Sequence, residues 1–255
     1  MLITQLEGSD LLDLWFRTLT SLVQDYNNSQ WNHPSIFSRW VFGTSTSLTF
    51  DVDSQMFKDF LDFSGYSIVG KMRQLRAEYF YIKQEKQLQL IQQNFRALLP
   101  RQTRAFIQFS EPAFDSSTKM KCLDSLYLQK TTPTEFDVFL IFRSTEVFPK
   151  TPMDFYLMYH IISELARTTK TKCNSFQFLA INTFINLTQA PLVALLLKKY
   201  GIGRWNPEFK KCIESFFRKY PEEKAEEIKL QSLKRVISRV YKKLREYRVD
   251  PVELL

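Results

Sequence analysis

The stretch from Cys122 to Asp154 constrains the fold most. It holds two runs of alternating apolar and polar residues, LDSLYLQK and EFDVFLIF, separated by Thr-Thr-Pro-Thr. Alternation at period two marks half-buried strands, and the Thr-Pro break marks a turn, so the stretch predicts a β-hairpin. Cys122 lies where the first strand begins and Arg143-Ser144 lies late in the second. An antiparallel hairpin therefore brings the thiol beside the Arg-Ser pair. Pro149 and Pro152 then bound a helix start, with Asp154 in its first turn, where the helix dipole favours a negative charge.

Other features narrow the chemistry. The 255 residues are ample for a sizeable core. The three cysteines, Cys122, Cys173 and Cys212, show no CxxC spacing, and His33 and His160 are the only histidines. That supply argues against a metal site, a disulfide framework or a Ser-His triad. A net charge of +8 suits an anionic partner. No apolar run spans a bilayer and the start, MLITQLEGSD, lacks a basic leader region, so a cytoplasmic location without membrane contact is expected.

Taken in order, Leu11 to Val23 has the spacing of an amphipathic helix ending near Asn27-Asn28. Trp40 to Val52 reads as strand around Gly43, and Gln55 to Phe63 as a helix carrying Asp59. Lys71 to Leu99 is polar with apolar residues at helical intervals. Arg101 to Phe109 is a strand entered through Arg101 and Arg104. Phe155 to Ala166 is a buried helix, Ser175 to Leu187 a strand, Gln189 to Tyr200 a helix closed by Gly201, and Asn206 to Tyr220 a helix. Pro221 to Arg248 reads as a last, basic helix. The division is a domain over 1–220 and a basic helical extension over 221–255.

Residues 143–154, Arg-Ser-Thr-Glu-Val-Phe-Pro-Lys-Thr-Pro-Met-Asp, together with the upstream Cys122, resemble the Arg-Ser-x-Asp-x-Phe-x-Gly-x-Pro-x-Asn segment and strand cysteine of the thymidylate synthase family. The resemblance implies an α/β (α+β) fold with a mostly antiparallel mixed sheet covered by helices. It implies a homodimer in which Arg104 and Arg101 reach the nucleotide phosphate of the partner subunit. It assigns Cys122 as nucleophile, Arg143 and Ser144 as phosphate ligands, and Asp59 as the acid of the Glu-Leu-Leu-Trp-Phe helix. Where the family has Asn, Asp154 stands, a change that suits cytosine's amine and resembles the family's deoxycytidylate hydroxymethylases. Phe184 and Asn186 replace the family's sugar-binding His and Tyr, and the Tyr-Gly-x-Gln-Trp-Arg segment has no equivalent.

A pyrimidine becomes nucleophilic at C5 once a thiolate has added to C6. The reading is thus a pyrimidine nucleotide C5-hydroxymethyl- or methyltransferase leaning to cytidylate, binding a nucleotide monophosphate and taking its carbon from a tetrahydrofolate derivative, although the folate-site motifs are largely missing. The alternative is a catalytically degenerate relative, a nucleotide- or nucleic-acid-binding scaffold subunit that uses its basic C-terminal helix.

Overall fold

The computed structural model describes residues 3–8, 10–24, 35–42, 49–80, 82–97, 104–109 and 122–255. Its strands are β1 (Ile3–Gly8), β2 (Ser35–Phe42), β3 (Arg104–Gln108), β4 (Leu123–Thr132), β5 (Glu135–Phe148) and β6 (Lys172–Ile185). The helices are α1 (Leu11–Gln24), α2 (Gln55–Ser64), α3 (Ile68–Tyr79), α4 (Ile82–Asn94), α5 (Thr151–Thr169), α6 (Ala190–Lys199), α7 (Pro207–Lys219) and α8 (Gln231–Tyr247).

The strands form one mixed sheet in the order β1-β2-β6-β5-β4-β3. The β1–β2 and β5–β6 pairs are parallel and the other neighbours antiparallel. This is the expected mostly antiparallel mixed sheet covered by helices. The β4–β5 hairpin forms as expected, with Leu126 opposite Leu140 and Leu128 opposite Val138. Burial alternates along β5: Phe136, Val138, Leu140 and Phe142 are buried, while the residues between them are half-buried. Crossing β5 in parallel, β6 adds Phe176, Phe178 and Ala180 to the buried face. There α5 packs on the sheet, its Phe155 ring 4.8 Å edge-on from Phe178. In α6, Ala190 to Leu197 are all buried, and the helix contacts α2, α7 and α8. Apolar residues of α8 (Ile237, Val240, Leu244) belong to the same core cluster as the sheet, so the basic extension is packed into the body. Among the described residues no helix is long and apolar enough to cross a membrane.

Three boundaries differ from expectation. Of the strand expected from Trp40 to Val52, Trp40 to Phe42 close β2, which begins at Ser35; residues 43–48 lie outside the described residues, and Asp51 to Ser54 turn instead. Turn-forming side chains explain this: Asp51 accepts from the Asp53 N–H at 2.9 Å, and Ser54 caps α2 by accepting from Phe57 N at 3.2 Å. The helical run Lys71 to Leu99 breaks at Phe80. Tyr79 and Phe80 are both buried, against Phe142 and Phe109 among others. Phe80, at φ −106° and ψ 83°, leaves the helical region and ends α3. The last helix divides into a 3-10 segment (Glu222–Glu227), where only Ala225 is buried, and α8.

Candidate functional site

The hairpin and the helix that follows it assemble a polar group at the β5–α5 corner. The Arg143 N–H donates to the Cys122 carbonyl at 2.9 Å, which fixes β4 against β5 at that level. The Ser144 hydroxyl points at the Cys122 sulfur, 3.8 Å away, and the thiol is half-buried. The chain then turns into α5, tied by a Thr145–Thr151 hydroxyl contact of 2.8 Å and a bond from the Thr151 hydroxyl to the Glu146 carbonyl at 3.2 Å. One turn in, Asp154 is 2 % exposed and accepts from the Tyr79 hydroxyl at 3.3 Å.

Two lysines and a second carboxylate complete the group. Burial pushes the Asp154 carboxyl up to about 7, against the pull of Lys71, Lys150 and the Tyr79 hydroxyl. Burial likewise raises Glu146, which pairs with Lys150 at 3.5 Å. Burial also raises the Tyr79 phenol, and the charges of Asp154, Glu78 and Cys122 add to it. For Lys150, burial disfavours the ammonium, but Glu146, Cys122 and Asp154 outweigh it and the group is raised. Lys71 is lowered, chiefly by burial, and its ammonium sits 4.8 Å from the centre of the Tyr66 ring. The charges of Cys122 and Asp154 thus both act on Tyr79 and on Lys150. Such a site sets a thiol beside a hydroxyl and presents a carboxyl that donates or accepts near neutral pH.

Of the residues expected from sequence, the structure brings together Cys122, Ser144 and Asp154, with the Arg143 backbone between them. The others are placed differently. Asp59 takes 2.7 Å contacts from Lys199 and Gln55 and a 2.9 Å bond from the Tyr200 hydroxyl. Burial works to raise this carboxyl, and those hydrogen bonds prevail and hold it below its usual value. Its described partners are on α2 and at the end of α6, none in the Cys122 group. Asn186 caps the short turn after β6, its side-chain oxygen accepting from the Thr188 N–H and hydroxyl, both at 3.1 Å. Arg104 opens β3 opposite Gln129, its side chain lying outside the described residues, as does all of Arg101.

Lys71, Tyr79, Glu146 and Lys150 were not singled out from the sequence. Glu146 and Lys150 sit inside the family-like segment and were within reach of a closer reading. Lys71 and Tyr79 reach Asp154 only because α3 packs on α5, which local spacing does not show. Among the described residues no group of His, Cys, Asp and Glu is arranged to hold a metal ion. Nor do the residues beside Asp154 fit a folate. Tyr79 is 2 % exposed with its hydroxyl on Asp154, so its ring is not open for stacking a pterin. The chain matches no protein-family model and no curated protein.

Proposed function

We propose that the Cys122–Asp154 group binds a pyrimidine nucleotide monophosphate, cytidylate by preference, and activates its C5 position for methyl or hydroxymethyl transfer. The observation that carries this is the β5–α5 corner itself, which sets the Ser144 hydroxyl 3.8 Å from the Cys122 sulfur and, one turn into the helix, buries the Asp154 carboxyl under the Tyr79 hydroxyl. In this scheme the Cys122 thiolate forms a bond to C6, and the C5=C6 electron pair moves into the ring toward N3. Asp154 in its neutral form donates to N3 while its other oxygen accepts from the exocyclic amine. C5 is then nucleophilic and takes a proton from solvent or a one-carbon electrophile; loss of the original C5 hydrogen as a proton and expulsion of the Cys122 thiolate from C6 restore the C5=C6 bond. No step is assigned to a folate, which the surrounding residues do not fit. Arg143 and Ser144 serve as phosphate ligands, and two copies of the chain form the working unit.

The test needs no carbon donor. Addition of the thiolate makes the C5 hydrogen exchangeable, so C5-tritiated deoxycytidylate releases tritium to water. Cys122→Ser should abolish release and leave nucleotide affinity nearly unchanged, because the thiol acts after binding. Equal release by the serine variant rejects the mechanism.

A second reading has its own support. Asp59 and Asn186 are committed to structural bonds, and Asp154 is sealed by its neighbours. A binding or scaffold subunit that retains the fold would look like this. It predicts nucleotide binding with no tritium release from the unmodified chain.

A further inference from the structure

We infer that the corner between α2, α3 and α8 is a separate binding site for a phosphorylated small molecule. A cavity of about 590 Å³ lies there, lined among others by Tyr66, Ser67, Ser238, Arg239, Lys242 and Lys243. Its volume falls in the range of small-ligand sites.

Arg239 carries the argument. Its guanidinium donates to the Ser64 carbonyl, and among the described residues no carboxylate pairs with it. It is half-buried, and burial lowers its preference for the charged state. Asp62 and Tyr66 act against that, but Asp62 is bonded to Lys243, and an oxyanion supplied by a ligand offsets the remaining cost of withdrawing the guanidinium from water. Its seat is built: Gly65 has φ 65°, and a Cβ there would overlap the guanidinium. Lys242 is exposed on the cavity wall with no described partner, and the Ser67 and Ser238 hydroxyls are exposed beside it. Asp62, the acidic residue on the lining, is already neutralised by Lys243. A phosphate therefore meets two available cations and two hydroxyl donors.

The same phosphate chemistry could come from nucleic acid, since Arg235, Arg239 and Lys242 recur at i, i+4 and i+7 along α8. Lys234 is paired with Glu226, Lys243 with Asp62 and Glu246, and Arg245 with Glu222, while Arg239 faces the cavity. The open corner gathers two of those three cations beside two hydroxyls, a cluster of the size of a small phosphorylated ligand, and the DNA arm of the test separates the two sources.

The test is calorimetric titration of the full chain with inorganic pyrophosphate at low salt, beside a short single-stranded DNA. We expect one pyrophosphate bound per chain. Lys242→Glu, whose side chain touches no described group, should weaken it by about tenfold or more. Arg239→Gln should weaken it too, with circular dichroism confirming the fold. Cys122→Ser and Asp154→Asn should bind pyrophosphate as the parent does, so failure of the cytidylate reading leaves this site standing. Absence of pyrophosphate binding by the parent, equal binding by Lys242→Glu, or binding of DNA alone would each overturn the proposal.

Discussion

Asp154 is the residue through which the base would be read, and the fold sets its protonation. Its folded value of about 7 lies above the ordinary 3.8. Between those values the folded chain holds a proton that the unfolded chain has released. The stability this proton contributes is complete below the unfolded value and is lost as pH rises through 7, on the order of 4 kcal/mol in all. Asp154→Asn keeps an acceptor for Tyr79 and cannot ionise. The parent's melting midpoint should fall between about pH 4 and 7 while the variant's changes much less; parallel curves would show that Asp154 is not the titrating group. The same variant should shift relative affinity from deoxycytidylate toward deoxyuridylate, since the amide donates to O4 and accepts from N3–H without ionising. An unmoved ratio places base reading elsewhere. Asp154 was legible in the sequence because a proline-bounded helix start needs no long-range information. Tyr79, 75 positions away, was not: only the packing of α3 on α5 joins them.

At the scale of elements, the joints are made by backbone conformations and single side chains more than by propensity. The α2–α3 joint is the plainest case. Gly65 caps α2 in the left-handed region, its N–H donating to the Leu61 carbonyl at 2.8 Å, and its bare Cα admits Arg239 from α8. Gly65→Ala should cost about 1–3 kcal/mol, part from positive φ and part from displacing Arg239. Combining it with Arg239→Gln should cost less than the sum of the two single changes, because the second removes what the first displaces. Strict additivity in chemical denaturation would mean that α8 is not seated on Gly65. The α7 start was legible for the same local reason, Asn206 accepting from Phe209 N at 2.8 Å. Edge strand β1 was not, since Ile3–Gly8 acquires its identity only by parallel pairing with β2. Basic α8 was read correctly as amphipathic, but its charges could not be assigned to Glu226, Asp62 and Glu222 without the fold.

For the whole molecule, the sheet face opposite α5 bears on assembly. Across β3, β4 and β5 the register places Phe106 opposite Tyr127, and Tyr127 opposite Phe139. Next along, Ile141 faces Leu179 on β6. The Phe106 and Tyr127 rings are 4.7 Å apart, Phe106 is 41 % exposed, and the others are half-buried. A second copy could meet this apolar ladder across a two-fold axis, the commonest symmetry of soluble dimers. The homodimer we propose would bury it. Phe106→Glu, on an edge strand, should give monomers in sedimentation with unchanged circular dichroism, whereas the parent should sediment as a dimer. A monomeric parent at micromolar concentration rejects the assembly. Activity gives an independent test, because the family resemblance would have Arg104 serve the partner's nucleotide. Cys122→Ser and Arg104→Ala chains should each be inactive alone. Mixed dimers contain one site with both an intact thiol and an intact arginine, so mixing should restore tritium release. If mixing restores nothing while dimers still form, each site is completed within its own chain and the dimer has no catalytic role.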